Sequence, residues 1–233
     1  GRARVGVMGL SFAGGLSLML AASHPEHVAF AVSVGGHHDL PRVLRFLVTN
    51  EIEAPEGRLR RPAHDYGLLV FAQGHSERLF PTDAARARQV LRRWLQGDPE
   101  GARRDAQALE PAARATMERL VRHDQAALAP RVEAILADEA ERGLAASPRG
   151  KLGALTRPVF LLHGAEDDVV PASEARWIWS ELPSRARGAL LVSPSLGHVE
   201  LKGAPRIADE AALVEFMSGV LRAAWDEPRA TRR

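Results

Sequence analysis

Apolar positions gather at the two ends of the chain and keep a different rhythm in the middle. Residues 5–22 carry no charge, but the run is not uniform. Val5-Gly6-Val7-Met8 favours a strand, Gly9 to Gly14 is a turn signal, and Leu16 to Ala22 favours a helix. This grammar of strand, tight turn and buried helix fits better than an export signal or a membrane span, so no span is expected. Val28 to Val34 is a continuous apolar run closed by Gly35-Gly36, and Pro158 to Leu162 and Ala189 to Val192 share its character. Strands that are apolar on both faces belong to buried parallel sheets. Helices are predicted over 172–182 and about 207–225, and the resulting order of elements is that of an open, mostly parallel α/β sheet.

Residues 37–152 break this pattern. They hold no convincing buried strand and predict consecutive helices over 40–49, 66–74, 82–96, about 110–123 and 128–143. Thr82-Asp83 is a candidate cap, with Val90, Leu91, Trp94 and Leu95 as the apolar stripe behind it. The charged stretch Glu56 to Arg61 is expected to be a solvated loop. The domain plan that follows is an α/β core formed by 1–36 and 153–233, interrupted at 37–152 by an all-helical cap.

Composition narrows the class more than the function. The 233 residues are 45% hydrophobic and 26% charged, with 31 basic against 29 acidic side chains. A net charge of only +2 gives no nucleic-acid footprint. With no cysteine, thiolate metal sites, disulfides and a cysteine nucleophile are all excluded. Lys151 and Lys202 are the only lysines, which reads as coding bias and carries no function. A cytoplasmic location is the expectation, and the oligomeric state is left open.

Three short segments carry candidate chemistry. In Gly9-Leu10-Ser11-Phe12-Ala13-Gly14 the chain must leave a buried strand and enter a helix within a few residues. That forces Ser11 into a strained turn and demands small neighbours. The Phe12 amide and the helix N-terminus would then face any negative charge developing at Ser11. Taken alone, Ser11 could equally be an ordinary helix cap. The second segment, Leu161 to Pro171, runs from a strand into a loop bearing Glu166, Asp167 and Asp168. Spacing favours Asp167 as an acid that orients an imidazole, with Asp168 as its competitor, and His163 reads as a structural tie. The third, Ser195-Leu196-Gly197-His198, places a histidine on a glycine-flanked loop after a strand. His37, His38 and Asp39 resemble a small metal cluster, but adjacent histidines do not readily face one ion, so neither a metal nor a cofactor is expected.

The order serine, acid, histidine on separate strand ends, with Ser11, Asp167 and His198 in those places, resembles the α/β-hydrolase family. The resemblance covers residues 3–36 and 155–225, although the elbow reads G-x-S-x-A where the usual pattern is G-x-S-x-G. It implies Ser11 as nucleophile, His198 as general base and acid, and Asp167 as the orienting acid, with Asp39 as a second candidate for that last role. It also implies a small-molecule acyl substrate and hydrolysis of a carboxylic ester through an acyl-enzyme. An acyltransferase would use the same residues, and a non-catalytic binding module is the third reading. The family normally has strands before the elbow and takes a second oxyanion donor from a loop among them. None precedes Gly1, so only Phe12 is assigned to the oxyanion hole. The chain is therefore expected to be the C-terminal part of a longer protein and a weak catalyst by itself. Its first strand is expected to expose Val5 and Val7.

Overall fold

A computed structural model describes residues 4–200 and 206–225; residues 1–3, 201–205 and 226–233, with Gly1, Arg2 and Lys202 among them, lie outside the described residues. The α/β part contains strands β1 (Val5–Leu10), β2 (Val28–Val34), β5 (Val159–Gly164) and β6 (Arg187–Ser193). They form one parallel sheet in the order β1-β2-β5-β6. Alternating side chains serve two cores because successive residues of a strand point to opposite faces. On one face Ala31 and Leu161 pack with Leu18 and Ala21 of helix α1 (Phe12–Ser23) and with Ile178 of helix α10 (Ser173–Glu181). On the other, Val32, Val34 and Phe160 pack with Phe216 and Val220 of helix α11 (Ile207–Trp225). Phe160 meets Phe30 and Phe216 edge to face, at centroid distances of 6.3 and 6.1 Å, the arrangement ring quadrupoles favour.

The expectation for β1 is half right. Val5 is 59% exposed, but Val7 packs into the α1 core, while Met8 (61%) and Leu10 (53%) are the other exposed side chains. The two-residue period puts Val7 on the α1 side and Met8 and Leu10 on the opposite face at the sheet's edge; Val5 shares Val7's side by that period but is not part of the α1 core.

Two compact units emerge from the chain, one comprising 1–43, 52–59 and 142–233 and the other 44–51 and 60–141. The second unit lies inside the span of the expected insertion. It holds helices α3 (Asp65–Gly74), α4 (Ser76–Leu79), α5 (Ala84–Leu95), α6 (Pro99–Ala106), α7 (Pro111–Val121) and α8 (Gln125–Asp138). Its interior is built from residues such as Leu68, Phe80, Leu91, Met117, Leu120 and Ile135. Asp98 caps α6 through Gly101 N–H at 2.8 Å, and Asp124 caps α8 through Ala127 N–H at 3.2 Å. Asp83 precedes α5 but does not cap it; its carboxylate instead accepts from the Glu110 amide at 3.1 Å. Helix α2 (Leu40–Thr49) matches its predicted span. A short hairpin, β3 (Glu51–Ala54) and β4 (Gly57–Arg60), replaces the loop expected around Glu56 to Arg61. All of β4 is exposed, so no apolar alternation signals it.

Candidate active site

The site starts with a backbone constraint. Strand β1 ends at Leu10 and α1 begins at Phe12, leaving Ser11 alone to make the turn at φ 54° and ψ −131°. Positive φ is costly for a side chain bearing a Cβ, and the Ser11 amide is tied to the Val34 carbonyl of β2 at 2.8 Å. The small neighbours are steric requirements. A Cβ on Gly9 would collide with the Ala13 carbonyl, and one on Gly14 would lie 2.6 Å from Ser33 Oγ and 2.8 Å from Gly36 Cα. Ala13 is exposed, so the methyl group that departs from the usual glycine meets no obstacle.

His198 reaches this serine from the loop after β6. Its Nε2 lies 2.7 Å from Ser11 Oγ, and its Nδ1 lies 2.8 Å from Asp167 Oδ2. An ionised carboxylate only accepts hydrogen bonds, so Nδ1 carries the proton and Nε2 keeps the lone pair that accepts from the Ser11 hydroxyl. Asp167 is buried in the loop after β5. Its Oδ1 accepts from the amides of Val169 and Val170 at 2.9 and 2.8 Å, which orients the carboxylate and leaves Oδ2 for the imidazole. Burial pushes the Asp167 carboxyl up, but hydrogen bonds from His163 and His198, reinforced by the charge of both rings, outweigh it and hold the group below the usual aspartate value.

His163 is the tie it was expected to be, with Nε2 2.8 Å from the Val170 carbonyl and 3.3 Å from Asp167 Oδ2. Phe12 is the first residue of α1, where helix amides have no intrahelical acceptor. Its ring stacks on His37 at 4.9 Å, 5° from parallel. Asp39 is engaged elsewhere: Oδ2 accepts from Arg149 Nη1 at 2.6 Å and Oδ1 from the Arg42 amide at 3.1 Å. Asp168 is partly buried beside Asp167, and the acid bonded to His198 is Asp167. His37 and His38 face different partners, with His37 Nε2 on the Ala146 carbonyl at 3.0 Å and His38 Nε2 on Glu181 at 2.7 Å. Desolvation lowers the His37 pKa despite the Ala146 bond. For Glu181, burial acts upward, yet hydrogen bonds from His38 and the Leu152 and Gly150 amides bring the carboxyl below its ordinary value.

Two supporting residues escaped sequence reasoning. Gly35 sits at φ 60°, where a Cβ would lie 2.8 Å from the His198 carbonyl and 3.5 Å from Asp167 Oδ2. The Gly35-Gly36 pair after a buried strand was its only signal. Glu174 is buried at the start of α10; Oε2 accepts from the amides of His38 and Asp39 at 2.8 and 2.9 Å, and Oε1 from Arg42 Nε at 2.6 Å. It fixes the loop that follows β2, and an acid in the first turn of a helix gives no hint of that.

The sequence profile of the X-Pro dipeptidyl-peptidase (S15 family) matches residues 2–200. Among solved structures, the chain is similar to a candidate lipase from Acinetobacter baumannii AYE, with 11% identity, a TM-score of 0.45, and coverage of 97% of this chain and 63% of that one. It is similar to an α/β hydrolase enzyme from a Medee basin deep-sea metagenome library, with 14% identity, a TM-score of 0.44, and coverage of 100% and 69%. An α/β fold family hydrolase from Bacillus anthracis str. Sterne is a further neighbour, with 14% identity, a TM-score of 0.46, and coverage of 95% and 67%. The chain thus spans less than two thirds of the first of these proteins. No curated protein matches the sequence. Among the described residues, no helix is long and apolar enough to cross a membrane.

Proposed function

The chain belongs to the X-Pro dipeptidyl-peptidase (S15) family and has an α/β-hydrolase fold, and from that premise we propose that it is a serine hydrolase cleaving an acyl bond through an acyl-enzyme. Ser11 attacks the carbonyl carbon as its proton passes to His198 Nε2. The proton then moves to the departing alcohol or amine, and the acyl group stays on Ser11 Oγ. Water adds to the acyl-enzyme with its proton again taken by His198; the C–Oγ bond then breaks, His198 returns that proton to Ser11 Oγ, and the acid leaves. Asp167 holds the reactive tautomer and stabilises the imidazolium, and the Phe12 amide at the positive end of α1 donates to the developing oxyanion. The helical unit is assigned to the family's inserted module and to substrate selection.

The observation that supports this reading is the hydrogen-bonded series Ser11, His198, Asp167, drawn from three strand ends and spanning 187 positions of sequence. A carboxylic ester is the favoured bond because its alcohol leaves an acyl carbon more readily than an amine does. A peptide bond after proline is the second reading, favoured by the family's own description. A fluorophosphonate probe should label the protein, and Ser11→Ala should abolish the label. p-Nitrophenyl esters compared with X-Pro p-nitroanilides then decide the bond. Failure of the folded protein to label sinks the hydrolase in favour of a binding module.

A further inference from the structure

The helical unit contains a cleft of about 250 Å³ walled by α5, α6 and α7. Its apolar surface comes from Trp94, Met117 and Val121, and three arginines line it: Arg103, Arg114 and Arg122. We propose that this cleft binds a small organic anion, a carboxylate carrying an apolar tail. This stands whether or not Ser11 is a nucleophile.

The state of the three arginines carries the inference. Elsewhere in the same unit, Arg78, Arg88 and Arg93 each lie against a carboxylate, at 2.6, 3.1 and 2.6 Å. None of the cleft arginines has such a partner among the described residues. Arg103 lies over the Trp94 ring at 4.9 Å from its centroid, a contact that satisfies the ring face and leaves its N–H edge for an acceptor. Arg114 is fixed by one bond, from Nη2 to the Leu109 carbonyl at 3.1 Å. Its Nε–H is buried with no acceptor, so donor capacity remains unspent at the wall. Buried donors are nearly always satisfied, and a group that is not points to a missing acceptor. The one acid in the lining, Glu118, offsets only one of the three arginines, so the cleft stays net positive and favours an anion. An aromatic and aliphatic surface beside convergent charged donors is the usual build of a small-molecule site, and here it specifies both ends of the ligand.

Octanoate is the probe, titrated calorimetrically and by tryptophan emission into the full chain. It should bind with a change in emission that Trp94→Phe removes. Arg103→Gln, at an exposed position, should weaken it by about tenfold, the size expected for a lost charge-assisted hydrogen bond. Arg104→Gln, on the same helix but outside the cleft, should leave it unchanged. Octan-1-ol and inorganic phosphate should both bind far more weakly, since each offers only half of the chemistry. Unchanged affinity in Arg103→Gln, or no binding at all, overturns the proposal. So does octanol binding as tightly as octanoate, which removes the anion, or phosphate doing so, which removes the tail.

Discussion

Replacing Asp167 by asparagine changes one oxygen to an amide nitrogen, and the surrounding bonds dictate where that nitrogen goes. The amides of Val169 and Val170 both donate to Oδ1, so the asparagine must keep its carbonyl there. The NH2 group is then forced into the Oδ2 position, 2.8 Å from His198 Nδ1 and 3.3 Å from His163 Nε2. A donor facing Nδ1 moves the imidazole proton to Nε2, where it points at Ser11 Oγ and cannot accept the hydroxyl proton. A triad held in the wrong tautomer loses about 10⁴-fold in rate, or about 5 kcal/mol of barrier. Stability should fall by far less, within about 3 kcal/mol, because volume and both backbone bonds are kept and a buried charge is removed. The assay is the pseudo-first-order rate of fluorophosphonate labelling, with a thermal melt to show that the variant is folded. Labelling of Asp167→Asn within tenfold of the parent rate would refute the reasoning. So would a folded Asp39→Asn variant with the larger loss, which would move the acid to the end of β2.

Two further predictions concern the same loops. Ser11→Gly and Ser11→Ala both delete the hydroxyl, but only glycine relieves the positive φ of 54°. The glycine variant should therefore be the more stable by about 1 kcal/mol in chemical unfolding, and equal stabilities would show that the elbow is unstrained. Asp167 also sets an acid dependence. Its carboxyl titrates lower in the folded chain than when unfolded, so its contribution is complete above the unfolded value near about 3.9 and is lost as pH falls through the folded value. Urea unfolding should show a stability gap between the parent and Asp167→Asn that is constant at neutral pH and closes in acid; a gap that widens in acid contradicts the assigned direction.

Much of the α/β part was legible because buried parallel strands and their helices leave a strong apolar signature. Strand β2 and helices α2 and α11 fall on their predicted ranges, and β5 and β6 extend only slightly beyond theirs. Helix α1 begins earlier than its apolar run, at Phe12, because the elbow is tighter than propensity alone implies. Ser11, Asp167 and His198 were legible as separate motifs, each tied to a strand end. Their meeting depends on sheet order, to which local pattern is blind. The same blindness hid Glu174 and Gly35, whose importance lies in what approaches them from distant sequence. In the middle of the chain, helix α6 was missed because Pro99 to Ala106 has no apolar stripe. The predicted helix over 128–143 proved to be two, α8 and α9 (Ala140–Ala145).

The sheet order β1-β2-β5-β6 joins strands from opposite ends of the polypeptide, and this has a kinetic consequence. During synthesis, β1, α1 and β2 emerge well before any residue of β5 or β6 exists, and the helices of 60–141, with their own interior, are completed in the interval. Long-range parallel pairing is slow compared with local helix formation. On refolding, the circular dichroism signal should return first and serine reactivity last, so recovered labelling times the closing of the sheet rather than the collapse of the chain.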